Sequence, residues 1–327
     1  MSAHKNEWFV LEDATMSPIT EEKRKGWLND APPWRTYHPN QTLRHHSKSQ
    51  EEKPYVLPPA AKEKDRSALL YINMALILRR PLLVTGRPGI GKSSLADYLA
   101  HRLGLGKRLV WPINSQSTLR EGLYSYDAVG HLSSTQHQEK ASIGEFITLG
   151  PLGTAMLPTE YPRVLLIDEI DKANYDLPND LLNVLEEGSF VIPEIQRLRK
   201  IEHEKAAGAK HSIYASGMTE KIDLIDGHVQ TKHYPVVVMT SNGERDFPEA
   251  FLRRCISLEL GVPEKKDLIK IVYEQLRKTV DEKTIEDVFD RLELKSSDPT
   301  DVVLQSIFIG LKGGKKASTQ ILRRKKG

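Results

Sequence analysis

A glycine-rich loop in the first third of the chain has the residue types and the spacing that bind phosphate groups. It matches the pattern G-x-x-x-x-G-K-S in full, and with the serine that follows it comprises Gly86, Arg87, Pro88, Gly89, Ile90, Gly91, Lys92, Ser93 and Ser94. The glycines let successive backbone N–H groups point at phosphate oxygens. Lys92 supplies a positive charge for the β and γ phosphates, and the Ser93 hydroxyl can ligate Mg²⁺. We therefore predict that the chain binds a nucleoside triphosphate together with Mg²⁺.

Two adjacent acids, Asp168 and Glu169, follow a run of four apolar residues at 164–167. Such a run predicts a buried strand, and acids at the carboxyl end of a parallel strand lie beside the phosphate site. We expect Asp168 to hold Mg²⁺, directly or through water, and Glu169 to orient and polarise the attacking water. The acid pair thus extends predicted nucleotide binding to predicted hydrolysis.

Polar residues after a later strand extend the predicted site. Asn242 follows the apolar run 236–239 and can hold the attacking water or contact the γ phosphate, although an Asn before a Gly is also a common turn. Arg253 and Arg254 can reach a nucleotide bound by a neighbouring subunit and stabilise charge in the transition state. Two surface arginines at a helix end are the alternative, and the local sequence leaves both interpretations open.

The pattern around these motifs predicts an α/β fold. Short apolar strands alternate with helices that have an apolar stripe, which is typical of a doubly wound parallel sheet. From about Pro263 only helical periodicity remains, which predicts a small all-α lid domain. The predicted strands are 81–85, 108–112, 163–167 and 234–240, and the predicted helices include 66–79 and 177–185.

The chain divides into four predicted regions. Residues 1–58 form a polar N-terminal extension that holds three of the four tryptophans. This extension is either a disordered leader or an arm that docks by its aromatic side chains, and we expect ordered structure to begin near Ala60. Residues 59–262 form the nucleotide-binding domain and 263–312 the helical lid, and 313–327 are a basic tail that we expect to be disordered.

Bulk composition limits the function classes. The net charge is +3, with 47 basic and 44 acidic residues, a balance too mild to indicate a nucleic-acid-binding protein. The single cysteine excludes an intrachain disulfide, which fits a reducing compartment. No stretch approaches the roughly 20 apolar residues of a membrane-spanning helix. We therefore expect a cytoplasmic protein without membrane association.

Together these motifs resemble those of the AAA+ ATPases, and within them the MoxR-like group of the dynein-related, helix-2-insert branch, over about residues 66–309. The resemblance implies that Arg254 is the arginine finger, with Arg253 as its companion. It also implies that Asn114 restrains Glu169, for which a plain turn residue is the alternative. The matching stretches are 86–94 (Walker A), 164–173 (Walker B, VLLIDEIDKA), 177–187 (LPNDLLNVLEE), 240–242 (sensor 1) and 251–255 (arginine finger).

Spacing and one departure refine the resemblance. Lys92 and Asp168 are 76 positions apart, which leaves room for the helix-2 insert of the MoxR-like group. The long segment 188–233 is expected to carry a hairpin and a polar loop. Many AAA+ proteins have a sensor-2 arginine on the third lid helix, but the stretch 296–308 contains no arginine. Either the lid contributes no cation to the γ phosphate or the cation comes from elsewhere.

The resemblance implies a hexameric ring that binds ATP and Mg²⁺ at subunit interfaces and remodels or activates a protein partner, often one with a von Willebrand factor A domain. One alternative is a nucleotide-gated assembly switch in a bacterial conflict or regulatory system. Another is a nucleic-acid-linked or GTP-using dynein-related motor, which only the basic tail favours. A metabolite kinase is formally open, but Arg253 and Arg254 argue against it.

Overall fold

A computed structural model of the chain describes residues 8–43, 55–58, 68–137, 142–201, 210–276 and 279–312, so the basic tail 313–327 lies outside the described residues. The helices are α1 (Glu21–Asn29), α2 (Ala68–Leu78), α3 (Ser94–Arg102), α4 (Leu119–Leu123), α5 (Ala128–Gln136), α6 (Pro151–Ala155), α7 (Leu177–Glu187), α8 (Pro193–Ile201), α9 (Glu249–Leu252), α10 (Lys265–Gln275), α11 (Glu282–Arg291) and α12 (Thr300–Leu311). The strands are β1 (Leu82–Thr85), β2 (Leu109–Pro112), β3 (Tyr124–Tyr126), β4 (Ile147–Leu149), β5 (Val164–Asp168), β6 (Ser189–Val191), β7 (Lys210–Ala215), β8 (Ile222–Ile225), β9 (His228–Gln230), β10 (Val236–Ser241) and β11 (Ile256–Glu259).

The central sheet has five parallel strands in the order β11-β1-β10-β5-β2. Strands β1, β5 and β10 are buried along nearly their whole length, because helices cover both faces of the sheet. This confirms the predicted α/β fold with a parallel sheet and helices at the C-terminal end of the chain. Since the three inner strands are adjacent and parallel, their carboxyl ends bring the glycine-rich loop, Asp168 and Asn242 to one edge.

The segments between the central strands build a second, four-stranded sheet in the order β3-β4-β7-β8. Strands β3 and β4 come from the long segment that follows β2, and β7 and β8 form an antiparallel hairpin within residues 188–233. The two segments are joined by parallel pairing of β4 with β7. The segment between β2 and β5 therefore holds extra structure, the hairpin expected within 188–233 is present, and the two form one sheet.

Described residues of the N-terminal extension pack on the nucleotide-binding domain from Val10 onward, so ordered structure does not begin near Ala60 as expected. Trp27 on α1 is buried, and its Nε1 donates a hydrogen bond to the carbonyl of Leu76 at 3.1 Å. The Arg79 guanidinium lies over the indole ring, 4.3 Å from its centroid. Nearby, Leu11 is fully buried. Residues 8–43 are thus docked through Trp27, whereas the other two tryptophans of this region, Trp8 and Trp34, are exposed.

The lid helices α10, α11 and α12 form a hydrophobic core of their own. Leu268, Phe289 and Val303 are among its buried residues, one from each helix. The N-terminus of α12 points toward the glycine-rich loop, since an ideal Cβ at Gly89 would lie 3.2 Å from Cβ of Pro299. The lid therefore closes one side of the predicted nucleotide site.

Within the described part of the chain, no helix is long and apolar enough to cross a membrane.

Candidate nucleotide site

The glycine-rich loop connects β1 to α3 in a conformation that its glycines make possible. Gly86, Gly89 and Gly91 have φ values of 145°, 77° and 96°, a region that residues with a Cβ rarely adopt. Gly89 is also crowded, because an ideal Cβ there would lie 2.6 Å from Oδ1 of Asp301. The predicted strand, loop and helix are thus present, with the backbone geometry that directs N–H groups into a phosphate cradle.

Lys92 is buried beneath the loop and tied to it. Its Nζ donates to the carbonyls of Gly86 at 2.8 Å and Arg87 at 3.1 Å, and to Oδ1 of Asn242 at 2.8 Å. Burial lowers the pKa of Lys92, while the neighbouring carboxylates, chiefly that of Asp171, favour the charged form. The side chain therefore places a cation under the loop and links it directly to the end of β10.

Ser93 and Asp168, the two residues predicted to ligate Mg²⁺, are in contact. The Ser93 hydroxyl donates to Oδ1 of Asp168 at 2.7 Å, and the Thr240 hydroxyl donates to the same oxygen at 2.6 Å. Hydroxyl and carboxylate oxygens are ligands that suit Mg²⁺. Among the described residues no group of three or more His, Cys, Asp or Glu could hold a metal ion. The donor set therefore fits a Mg²⁺ that takes its remaining ligands from water and nucleotide phosphates.

Glu169 is held by its backbone as well as its side chain. It has φ 61° and ψ 50°, a left-handed conformation that is strained for a residue with a Cβ. Its N–H donates to the Thr240 hydroxyl at 2.9 Å, and its Oε1 accepts from Nδ2 of Asn242 at 3.2 Å. Its Oε2 lies 2.7 Å from Nζ of Lys172, which raises the pKa of that lysine. These contacts aim the carboxylate at the cavity above the loop.

Asn242 lies at the centre of this arrangement. Its side-chain oxygen accepts from Lys92 and its side-chain nitrogen donates to Glu169, so one amide bridges the phosphate-loop cation and the predicted general base. Its backbone N–H donates to Oδ2 of the buried Asp171 at 2.9 Å, and this carboxylate also accepts from the N–H of Glu244. Asn242 is therefore oriented from both its side chain and its backbone.

Asn114 does not contact Glu169, contrary to the role that the resemblance implied. Its Oδ1 accepts from the backbone N–H of Gln116 at 2.8 Å, and its own N–H donates to the Ser117 hydroxyl at 3.0 Å. The short side chain is used within its own turn, which is the local alternative for Asn. Asn242 makes the amide contact to Glu169 instead.

Arg253 and Arg254 lie away from the nucleotide cavity of their own chain. Both follow α9, and neither lines the cavity. Arg253 is largely exposed and pairs with Glu249 at 3.4 Å. Nε of Arg254 lies 3.3 Å from Oε1 of Glu186, and its side chain is 40% exposed. The structure therefore does not bring these two residues to the loop.

A cavity of about 420 Å³ lies above the loop, between the nucleotide-binding domain and the lid. Two residues of the N-terminal extension, Tyr55 and Val56, form part of its wall. The Tyr55 ring lies 5.3 Å from the Tyr98 ring, tilted by 39°, and approaches the loop at Gly91. Burial raises the pKa of Tyr55. The lining residues from the lid are Ile271, Glu274, Gln275, Thr300, Asp301 and Leu304.

The lid residues that line this cavity include no lysine or arginine in the described part of the chain. Near the N-terminus of α12, where the resemblance places a sensor-2 cation, the acid Asp301 lies against Gly89. The lid thus presents a carboxylate to the phosphate loop.

Sequence reasoning missed Thr240, Asp171, Tyr55 and Asp301 as parts of this site. The first two lie within the quoted motifs TSN and DEID, and their strand-end positions were a signal that could have identified them. Tyr55 and Asp301 come from segments far from the loop in sequence, and no local pattern around them indicates a nucleotide site.

Comparison with known proteins gives one family and several distant structural similarities. No curated protein sequence matches the chain significantly. Among solved structures, the chain is similar to a RuvB mutant from Thermotoga maritima (16% identity, TM-score 0.40, 78% of this chain and 65% of that chain covered). It is also similar to Hsp104 with ATPγS and FITC casein in a closed state (16% identity, TM-score 0.34, 64% of this chain and 34% of that chain covered). A third similar structure is NtrX from Brucella abortus in complex with ATP (13% identity, TM-score 0.39, 73% of this chain and 48% of that chain covered). In each case less than two thirds of the other chain is covered.

The family model named AAA domain (dynein-related subfamily) matches residues 81–255. This range begins just before β1 and ends after Arg254, so it contains the loop, the acid pair, Asn242 and both arginines. It covers more than half of the chain. The protein therefore belongs to the AAA domain family, in its dynein-related subfamily.

Proposed function

We propose that the protein is a MoxR-like AAA+ ATPase that binds ATP with Mg²⁺, hydrolyses it at the interfaces of a hexameric ring, and remodels or activates a protein partner. The observation that carries this proposal is the chain of contacts from Lys92 through Asn242 to Glu169. It links the phosphate-binding cation to a carboxylate in position to accept a proton. A protein that only binds nucleotide does not need the contact between Asn242 and Glu169.

Each of these residues has a separate role in the proposed reaction. The loop N–H groups and Lys92 hold the β and γ phosphates and offset their charge. Mg²⁺, when held by Ser93 and Asp168, offsets further charge on the phosphates. Glu169 accepts a hydrogen bond from the attacking water and then its proton, while Asn242 keeps the Glu169 carboxylate in place. Hydrolysis then follows from positioning and electrostatics rather than covalent catalysis.

Arg254 completes the site of the neighbouring subunit. It lies outside its own cavity, yet its side chain is 40% exposed and the residue belongs to the matched family region. A guanidinium supplied across an interface can raise hydrolysis by several orders of magnitude, about 10³–10⁵ in well-studied cases. This arrangement makes a single subunit a poor enzyme, which supports the proposed ring.

The insert supports the proposed action on a protein partner. Helix α5 carries the exposed apolar side chains of Val129 and Leu132, which are 80% and 60% exposed. These two residues are three positions apart and so lie on one face of α5, where an exposed apolar pair can contact a protein. We propose a partner with a von Willebrand factor A domain as the first class to test, on the strength of the MoxR-like resemblance alone.

Two variants test the ATPase proposal. Glu169→Gln should abolish steady-state ATP turnover while ATP still binds, because the amide cannot accept the proton of water. Arg254→Ala should lower turnover about 10³-fold and leave nucleotide binding intact. Turnover per wild-type subunit should rise with protein concentration. An unchanged rate in Glu169→Gln, or a rate independent of concentration, would contradict the proposal.

A nucleotide-gated assembly switch is the second candidate, and one observation favours it. Tyr55 and Val56 of the N-terminal extension wall the nucleotide cavity, so occupancy of the cavity can change how the extension is held. A slow ATPase that no partner stimulates, but whose assembly depends on ATP, would favour the switch. The motor alternative depends on the basic tail 313–327, and deletion of this tail should abolish any salt-dependent polynucleotide binding.

A further inference from the structure

Glu186 lies between two arginines from different parts of the chain. Its Oε1 is 3.3 Å from Nε of Arg254, which follows α9, and 3.9 Å from Nη2 of Arg35 in the N-terminal extension. Glu186 occupies the last turn of α7, two residues before Gly188, which ends the helix with φ 65°. One carboxylate oxygen therefore connects the extension with the predicted arginine finger.

Arg35 is fixed where it meets this carboxylate. Its side chain is only 8% exposed, and its guanidinium lies over the Tyr234 ring, 4.9 Å from the centroid. Its Nη1 is 3.5 Å from both the Leu185 carbonyl and the Tyr37 hydroxyl. A cation at the C-terminal end of a helix is also favoured by the helix dipole. Arg35 is therefore a buried positive charge at the end of α7.

The contact with Arg254 has a geometry suited to positioning. The guanidinium nitrogen nearest to the carboxylate is Nε, 3.3 Å from Oε1. The two Nη groups of arginine can form a two-pronged contact with phosphate oxygens. Both partners are half-exposed, at 40% and 37%. The pair can therefore direct the guanidinium outward without removing it from the surface.

We propose that Glu186, itself held by Arg35, is a positioning residue that orients Arg254 toward the nucleotide of the neighbouring subunit. This inference rests on the proposed function, in which Arg254 acts across the interface. It assigns a role to the N-terminal extension as well, since Arg35 sets the position of the carboxylate. Glu186 touches no reacting atom, and its effect is confined to the subunit that donates Arg254.

The test uses mixed assemblies of full-length subunits. A Glu169→Gln subunit has Arg254 but no general base, and an Arg254→Ala subunit has the base but no finger. Mixing the two should restore ATP turnover at interfaces where the first donates its arginine to the second. Glu186→Gln is then added to one subunit type at a time, and kcat and KM for ATP are measured.

We expect a one-sided effect. Glu186→Gln in the finger-donating subunit should lower the restored kcat about two- to fivefold, the factor that an ion pair between half-exposed groups can contribute, and leave KM for ATP unchanged. The same substitution in the Arg254→Ala subunit has no guanidinium to orient and should leave the restored rate as it was. Glu187→Gln is the matched control, because it removes the same charge from the adjacent, exposed position.

Each other result overturns the inference. Equal losses from both subunit types would mean that Glu186 acts on folding or assembly. A higher kcat would mean that the ion pair holds Arg254 back from its neighbour. An unchanged kcat with Glu186→Gln in either subunit type would mean that the orientation of Arg254 does not depend on Glu186. If mixing restores no turnover at all, the shared site is absent, and the proposed function fails together with the inference.

Discussion

Replacing Thr240 by valine should impair hydrolysis without disturbing the phosphate loop. The Thr240 hydroxyl is buried, accepts from the N–H of Glu169 at 2.9 Å and donates to Oδ1 of Asp168 at 2.6 Å. Valine has a similar shape, but its side chain neither donates nor accepts a hydrogen bond. The substitution therefore removes two hydrogen bonds from the general base and its neighbour while it preserves packing.

The expected magnitudes follow from those two bonds. A hydrogen bond to a charged carboxylate contributes about 1.5–3 kcal/mol and a bond between neutral groups about 0.5–1.5 kcal/mol, so Thr240→Val should lower the free energy of unfolding by roughly 2–4.5 kcal/mol. The strained backbone at Glu169 loses one of the contacts that fix it. A misplacement of the carboxylate that costs about 1.4–2 kcal/mol in the transition state lowers kcat roughly ten- to thirtyfold.

Steady-state ATPase assays and chemical denaturation, run on the same preparations, measure both effects. Thr231→Val is a matched control, because the buried Thr231 hydroxyl donates to the carbonyl of His233 at 2.8 Å, away from the nucleotide cavity. It should lower stability and leave kcat unchanged. Thr240→Ser keeps the hydroxyl and should recover most of the rate. The reasoning is refuted if Thr240→Val loses stability at full kcat, or if the control loses kcat equally.

Three further outcomes follow from other contacts. Trp27→Ala should lower the free energy of unfolding by about 3–5 kcal/mol in a denaturant titration, because it empties a buried site and removes the partner of Leu76 and Arg79. Burial lowers the pKa of His233 from 6.5 to about 4, so as the pH falls His233 is protonated in the unfolded chain before it is protonated in the folded protein. The folded state should therefore lose stability as the pH falls from 6.5 to 4, and His233→Gln should flatten the decline in Tm between pH 7 and 5. Asp301→Asn should tighten ATP binding about three- to tenfold in a titration with a fluorescent analogue, because it removes a negative charge beside the phosphate loop; an unchanged Kd would show that the carboxylate does not oppose the phosphates.

The sequence alone was sufficient to predict those parts of the site that have a characteristic local pattern of residues. The glycine-rich loop requires positive φ values that glycine alone adopts easily, and Gly86, Gly89 and Gly91 have them. Apolar runs identified the inner strands because parallel strands are buried on both faces. Since parallel strands end at a common edge, the contacts of Asp168 and Asn242 with the loop residues followed from position in the chain.

Local pattern was insufficient for the N-terminal extension. Among its described residues the large buried apolar side chains form two separate pairs, Val10 with Leu11 and Trp27 with Leu28, which produce no sustained period of 2 or 3.6. Each docks into a surface that other elements have already built, such as the face of α2 that accepts Trp27. Its stability therefore depends on the surface it meets, and the extension by itself has no pattern that predicts an ordered structure.

Side-chain partners were decided only by the tertiary structure. Asn114 and Asn242 are both amides near strand ends, yet one closes its own turn and the other bridges Lys92 and Glu169. Which of these an amide does depends on what lies within about 3 Å of it, and that depends on strand order rather than sequence order.

The sequence by itself determined the phosphate loop, the acid pair and the parallel sheet, because each has a short-range physical cause. The tertiary structure decided that Tyr55 and Asp301 wall the nucleotide cavity and that Glu186 joins Arg35 to Arg254. These contacts bring together segments separated by tens to hundreds of residues. They exist because folding places unlike parts of the chain side by side, and no local pattern in the sequence encodes that placement.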